Sequence, residues 1–206
     1  DNPQEQWFEL QNSGVEEVSL AGCKIETGVQ FDFPAGTVIP AGGELVVAAD
    51  TSAFAFNNHA VTNIVGGWTG KLAREGERIT ITDGHGNTLS DVTYAMEGDW
   101  ALLSIGTTDI YGLAGWTWFA EHDGNGKSLE RVNLLLSTSS GQNWRSSTVP
   151  GGTPGRANSV AETDSAPLIT EVRHVPVVPR STDTVTITLR VTDEAVGNAG
   201  VSATLH

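Results

Sequence analysis

Short runs of alternating apolar and polar residues recur along the chain, each closed by Gly, Pro, Asn or Asp. Alternation with a period of two puts one set of side chains on one face of an extended strand, so the chain is built for sheets rather than helices. Residues 6–11 are the first such run. Phe8 and Leu10 share one face, Trp7 and Glu9 the other, and Asn12-Ser13-Gly14 supplies the turn. Residues 18–20, 23–27 and 29–33 follow, and 44–49 reads as a buried strand. Residues 78–82 and 89–94 flank Asp83-Gly84-His85-Gly86-Asn87, a hairpin loop by composition. Residues 116–120 and 128–132 flank a second Gly-rich loop, residues 121–127, in the same way. Residues 52–60 alone read as a short helix, with Asp50, Thr51 or Ser52 as its N-cap. Many short strands at this spacing predict an all-β sandwich or barrel.

The 206 residues suffice for one well-buried domain of about 150 residues and leave too little for a second large one. The Gly/Pro/Ser-rich stretch 149–167 is the best linker. Beyond it, Val185, Ile187, Leu189 and Val191 fall at every second position with Thr and Arg between them. Residues 168–175 and 201–206 read as neighbours of that strand. The expected division is 1–158 as a β-sandwich, 159–166 as linker, and 167–206 as the first strands of an incomplete second sandwich.

Composition narrows the function. A net charge of −14, from 25 acidic and 11 basic residues, repels a phosphate backbone, so no nucleic-acid partner is expected. Cys23 is the single cysteine, which forbids an intrachain disulfide and reads as a small buried side chain. No apolar run approaches the roughly 18 residues of a membrane span. With no initiator Met and no signal-peptide pattern, Asp1 is expected to be an internal residue of a longer polypeptide.

The stretch Glu121-His122-Asp123-Gly124-Asn125-Gly126-Lys127-Ser128-Leu129-Glu130 invites two chemical readings. A phosphate loop needs Gly where Glu121 stands, and a helix after Gly126-Lys127-Ser128 where a strand pattern follows. A calcium loop of the helix-loop-helix kind needs an oxygen ligand where Lys127 stands and Glu where Leu134 stands. A looser calcium site remains, formed by Asp123 and Asn125 with backbone carbonyls; otherwise the segment is a turn using Gly at positive φ. Glu121, His122 and Asp123 are adjacent and would diverge on a strand, which disfavours zinc. His59, His85, His174 and His206 are scattered without ligand spacing. No nucleophile elbow or metalloprotease motif is present, and nothing selects a carboxylate pair from Glu16-Glu17 or from Asp83 and Asp91. No catalytic residue is assigned and the chain reads as a non-enzyme. The tryptophans are expected to fill the core or cover its ends, each indole N–H on a carbonyl. Trp116 and Trp118 are the candidates for stacking on a sugar if they prove exposed.

These blocks resemble the lamin-tail domain family in its bacterial extracellular form. The carriers are Trp7-Phe8-Glu9-Leu10-Gln11-Asn12, Val18-Ser19-Leu20-Ala21-Gly22, and Phe33-Pro34-Ala35-Gly36-Thr37 through Pro40-Ala41-Gly42-Gly43. Also matching are Gly76-Glu77-Arg78-Ile79, Asp91-Val92-Thr93-Tyr94, the 123–130 block, Asn143-Trp144-Arg145 and Gly151-Gly152-Thr153-Pro154-Gly155. The resemblance runs over residues 1–158 and implies an immunoglobulin-like β-sandwich without catalytic activity, in which Asp123 to Glu130 is a structural turn. It departs from the family where Cys23 stands in place of a usual Trp, and it lacks the apolar strand usual before Trp7. Residues 166–174 and 185–191 look like the start of a second immunoglobulin- or fibronectin-like module. The resemblance implies a secreted or cell-surface polypeptide in which such modules space or position other domains or mediate adhesion, as in spore-coat CotH kinase-like proteins. The implied partners are the other domains of the same polypeptide and a cell-surface protein or polysaccharide. Phe8, Leu10, Phe33, Leu45, Val47, Ile79, Ile81, Val92, Leu129 and Trp144 are the expected core.

Overall fold

The computed structural model describes residues 2–194. The strands run in order β1 (Trp7–Gln11), β2 (Val18–Ser19), β3 (Lys24–Ile25), β4 (Val29–Asp32), β5 (Val38–Ile39) and β6 (Glu44–Ala48). After the helix α1 (Thr51–Asn57) come β7 (Ile64–Gly66), β8 (Thr69–Gly70), β9 (Gly76–Thr82) and β10 (Thr88–Ala95). The remainder are β11 (Leu102–Thr108), β12 (Ala114–Phe119), β13 (Leu129–Arg131), β14 (Trp144–Ser146), β15 (Leu168–Val175) and β16 (Thr186–Thr192). The all-β expectation holds for an immunoglobulin-like sandwich.

Two sheets face each other. One has the order β1-β6-β7, with β1 antiparallel and β7 parallel to β6. The other has the order β10-β9-β3-β4-β8. Side-chain alternation fills the space between them. Phe8 and Leu10 from β1, and Leu45 and Val47 from β6, meet Ile25, Val29 and Ile81 of the opposite sheet. Phe8 stacks on the buried Trp68 at 5.4 Å between ring centroids. The other face of β6 is also covered. Val46 and Ala48 pack with Phe54 of α1 and with Trp7, whose ring meets Phe54 edge-on at 5.8 Å. Burial on both faces explains why 44–49 reads as a continuous apolar run rather than an alternating one.

Turns are fixed by named side chains. Asn12 is buried and donates from Nδ2 to the carbonyls of Glu16, Ile39 and Pro40, while its Oδ1 accepts from Gly14 N–H. It thereby ties the turn after β1 to the strand β5 and the turn beyond it. Asp50 caps α1, accepting from the N–H groups of Ser52 and Ala53 at 2.7 and 3.0 Å. The helix ends at Asn57, three residues short of the expected Ala60.

Several expectations need correction. Residues 121–127 do not close a hairpin: β12 pairs with β11 and β13 pairs with β14. The 95–115 segment, given no strand by its sequence pattern, holds β11. Of the expected core, Phe8, Leu10, Ile79, Val92, Leu129 and Trp144 are only half-buried, and Trp116 and Trp118 are exposed rather than core. Trp144 donates its indole N–H to Thr138 O as expected, whereas the buried Trp68 indole N–H has no partner among the described residues. Residues 159–166 lie against β13 and β14: Glu162 N–H donates to Val132 O and its carboxylate accepts from Arg145. β15 and β16 form an antiparallel hairpin whose Ile187 and Leu189 are exposed. The expected strand at 201–206 lies outside the described residues.

The parallel pairing of β6 and β7 makes a sharp prediction. A Cβ at Gly66 would collide with the Ala48 carbonyl. The substitution Gly66→Ala should therefore cost about 2 kcal/mol, the usual size of an overpacking strain, read as a lower urea midpoint at unchanged slope.

Candidate functional site

Three places concentrate unusual chemistry: the 121–128 loop, the β11–β12 hairpin, and a groove along β1.

In the loop, the Asp123 carboxylate accepts a hydrogen bond from Arg74 Nε. The Asn125 amide nitrogen donates to the backbone carbonyls of Asp123 and Ala120. Lys127 pairs with Glu121 at 2.6 Å. Gly124 and Gly126 both take positive φ, 71° and 72°, the conformation glycine adopts without steric cost. The loop thus brings Asp123 to a guanidinium rather than to further carboxylates. Among the described residues no group of three His, Cys, Asp or Glu side chains could hold a metal ion. His122 contacts Ser146 Oγ and Ala95 O.

The Leu129 block continues into a buried polar cluster. Glu130 is 4% exposed and accepts hydrogen bonds from Ser128 Oγ, Thr153 Oγ1, and both the N–H and Oγ of Ser159. One carboxylate thereby gathers β13 and the 153–159 segment. Beneath it, Asn143 and Asn133 exchange side-chain-to-backbone bonds at 2.9 Å. Close by, Glu9 accepts from Gly155 N–H. Burial pushes the Glu9 carboxyl up to about 7, opposed by that hydrogen bond and reinforced by the charges of Glu44 and Glu130.

The β11–β12 hairpin exposes apolar side chains on both of its faces. Register pairs Ile105 with Trp116 and Leu103 with Trp118, so these four apolar side chains share one face. All four are exposed, Trp116 at 66% and Trp118 at 45%. Leu102 opposite Phe119 exposes apolar surface on the reverse face, and Ile110, Tyr111 and Leu113 do so at the tip. Asp109 is the one charged residue from 101 to 120, and its Oδ1 accepts from Tyr111 and Leu113 N–H to hold the turn. Trp116 and Trp118 were visible in sequence; their apolar companions on β11 were hidden inside an apparent loop. The alternation of Leu103 and Ile105 was the signal that could have found them.

The groove runs beside the free edge of β1. It is a cavity of about 670 Å³ walled by β1, by β9 and β10, and by β13. Phe8, Leu10, Ile79, Val92, Leu129 and Trp144, the half-buried members of the expected core, all line it.

The comparisons with known proteins can be set on this geometry. A family model described as Lamin Tail Domain matches residues 1–96. Residues 1–96 are thus similar to lamin tail domains. The match spans β1 to β10, both facing sheets, and stops before the hairpin and the 121–130 block. Lamin tail domains are immunoglobulin-like and generally non-catalytic interaction modules. No curated protein and no solved structure matched the chain.

Two predictions rest on the carboxylates. Replacing Glu130 by Ala strands the Ser128, Thr153 and Ser159 donors in a buried site and should cost about 3 kcal/mol or more, measurable by chemical denaturation. Glu9 has a folded pKa of about 7 against an ordinary 4.5, so the folded state holds the proton more tightly. Its contribution to stability is therefore greatest below pH 4.5 and falls as pH rises through 7. Glu9→Gln should flatten the melting temperature across that window and raise it relative to the parent at pH 8.

Proposed function

We propose that the protein is a non-catalytic interaction module of a larger secreted or cell-surface polypeptide, making its contact through the β11–β12 hairpin. The observation that carries this reading is the hairpin's apolar surface, exposed on both faces and at the tip. Large exposed apolar patches mark interaction sites. A charged or catalytic role would need converging titratable groups, and the hairpin offers only Asp109, already committed to its turn. Such a module spaces or positions the domains on either side of it, or mediates adhesion. The pairing of β15 with β16 supports reading residues 167–206 as the start of a second sandwich module. The reading requires no cofactor, and calcium at Asp123 and Asn125 would have to displace Arg74 from the carboxylate.

A second reading gives the partner's chemistry. Trp116 and Trp118 lie two residues apart on one strand face, both exposed, an arrangement suited to stacking successive sugar rings of a polysaccharide. Titration of tryptophan fluorescence with soluble cell-wall polysaccharides separates the two. A saturable change that vanishes in the Trp116→Ser, Trp118→Ser variant assigns the strip to carbohydrate. Fluorescence unmoved by any polysaccharide, with adhesion to a protein-coated surface lost in the variant, assigns the hairpin to a protein partner. Adhesion equal in variant and parent, at equal melting temperature, overturns the hairpin as the contact surface.

A further inference from the structure

The turn at the end of the β11–β12 hairpin keeps its hydrogen bonds to itself. Asp109 N–H donates to Leu113 O at 2.8 Å, and Gly112 N–H to Asp109 O at 3.1 Å. Asp109 Oδ1 accepts from the N–H groups of Tyr111 and Leu113 at 2.8 and 2.9 Å. The N–H groups of Asp109, Tyr111, Gly112 and Leu113 are thus bonded inside the turn, and the hairpin's one carboxylate is drawn onto two of them. What the tip turns outward is apolar: Ile110 is 91% exposed and Tyr111 80%, with Leu113 beside them. A segment that satisfies its own backbone and presents hydrocarbon meets the condition for leaving water.

The remaining side chains narrow the kind of partner. From 101 to 120 the sequence holds no Lys, Arg, His, Glu, Asn or Gln. Protein interfaces surround an apolar centre with a polar rim and enrich Arg, and small-ligand sites orient their ligand with a few placed polar groups. Here the hydroxyls are turned on one another: Ser104 and Thr117 oppose each other in register, their side-chain oxygens 3.2 Å apart. Apolar side chains occupy both faces and the tip, so a flat partner laid on one face leaves the other in water. A surrounding medium covers them all, and a lipid bilayer is one that requires no hydrogen-bonding side chain.

We propose that the hairpin tip inserts into the surface of a zwitterionic lipid bilayer, with Ile110, Tyr111 and Leu113 at the upper ends of the acyl chains and Trp116 among the headgroups. The inference rests on the hairpin being the contact surface and adds what it contacts. Depth is set by the backbone. The sheet has two strands, so behind the turn each strand carries an outer edge without a strand partner among the described residues. Such edges do not enter hydrocarbon, which holds penetration to the roughly 5–10 Å of an interfacial element. Thr108 and Ala114 form the last paired rung before the turn. At about 3.3 Å per residue, Trp116 lies about 7 Å behind Ala114 and Trp118 about 13 Å behind it. Trp116 therefore reaches the headgroup level, where tryptophan is enriched, and Trp118 stays on the water side. A net charge of −14 opposes approach to an anionic surface, which selects a zwitterionic one.

The test measures cosedimentation of the full chain with phosphatidylcholine vesicles, and quenching of its tryptophan fluorescence by phosphatidylcholine brominated in the acyl chains. The parent should bind. Ile110→Ser combined with Leu113→Ser alters two exposed side chains, so its melting temperature should match the parent's while binding weakens by about tenfold or more. Trp116→Phe should remove most of the quenching and Trp118→Phe little of it. Binding should fall when phosphatidylglycerol is added to the vesicles. Equal binding by parent and tip variant overturns the proposal, as does stronger binding to the anionic vesicles or quenching that depends on Trp118 and not on Trp116. If the parent binds no vesicle, adhesion of the Trp116→Ser, Trp118→Ser variant separates the two failures. Adhesion to a protein-coated surface lost in that variant overturns lipid insertion alone and gives the hairpin to a protein partner. Adhesion equal to the parent's overturns the hairpin as contact surface as well.

Discussion

Everything in the sandwich hangs on β6. Leu45 and Val47 close the space between the sheets, while Val46 and Ala48 face the opposite way onto Phe54 and Trp7. All four are fully buried. A strand buried on both faces cannot shift register by one residue without exchanging the two sets, so its neighbours are fixed by it. β1 is aligned along one side and β7 along the other. The close approach of β7 in turn leaves no room for a side chain at Gly66.

Against that fixed frame the rest of the molecule is attached by polar contacts. Glu130 draws the 153–159 segment onto β13, and Gly155 reaches Glu9 on β1. Gln142 exchanges bonds with the backbone of Ile169, which fastens the β15–β16 hairpin to the turn before β14. Hydrogen bonds to a buried carboxylate are strong but directional. The attachment is therefore specific in geometry even where little apolar surface is shared.

How much of this the sequence reveals depends on whether the deciding contact is local. The strand patterns at Phe8-Leu10, Leu45-Val47 and Ile79-Ile81 are legible because each face is set by residues two positions apart. The Asp83 loop is equally local: the Asp83 side chain caps N–H groups of His85 and Asn87, within four residues. The partner of β12 is not legible, because Gly106 interrupts the pattern of β11 and the register shifts between Ile105 and Thr108. Nor is exposure: Trp116 and Trp118 sit in a strand pattern that serves a core as well as a surface. The Glu9 environment was beyond reach altogether, since its burial and its hydrogen bond from Gly155, 146 residues away, both come from the tertiary fold. For the 121–128 loop, sequence exclusion of phosphate and of a regular calcium loop rested on Glu121 and Lys127, and the structure finds those two residues paired with each other.

The near-absence of charge on the β11–β12 hairpin has a colloidal consequence. Strands that expose apolar faces are normally guarded by nearby charged residues, and here only Asp109 stands in that position. Protection from self-association must come from elsewhere, and the molecule carries −14. Mutual repulsion between copies acts over a Debye length of about 10 Å at 0.1 M salt and about 3 Å at 1 M. The acidic body therefore works as a salt-sensitive guard for a sticky finger: dilute electrolyte keeps copies apart, and concentrated electrolyte leaves the hairpin free to find its own kind.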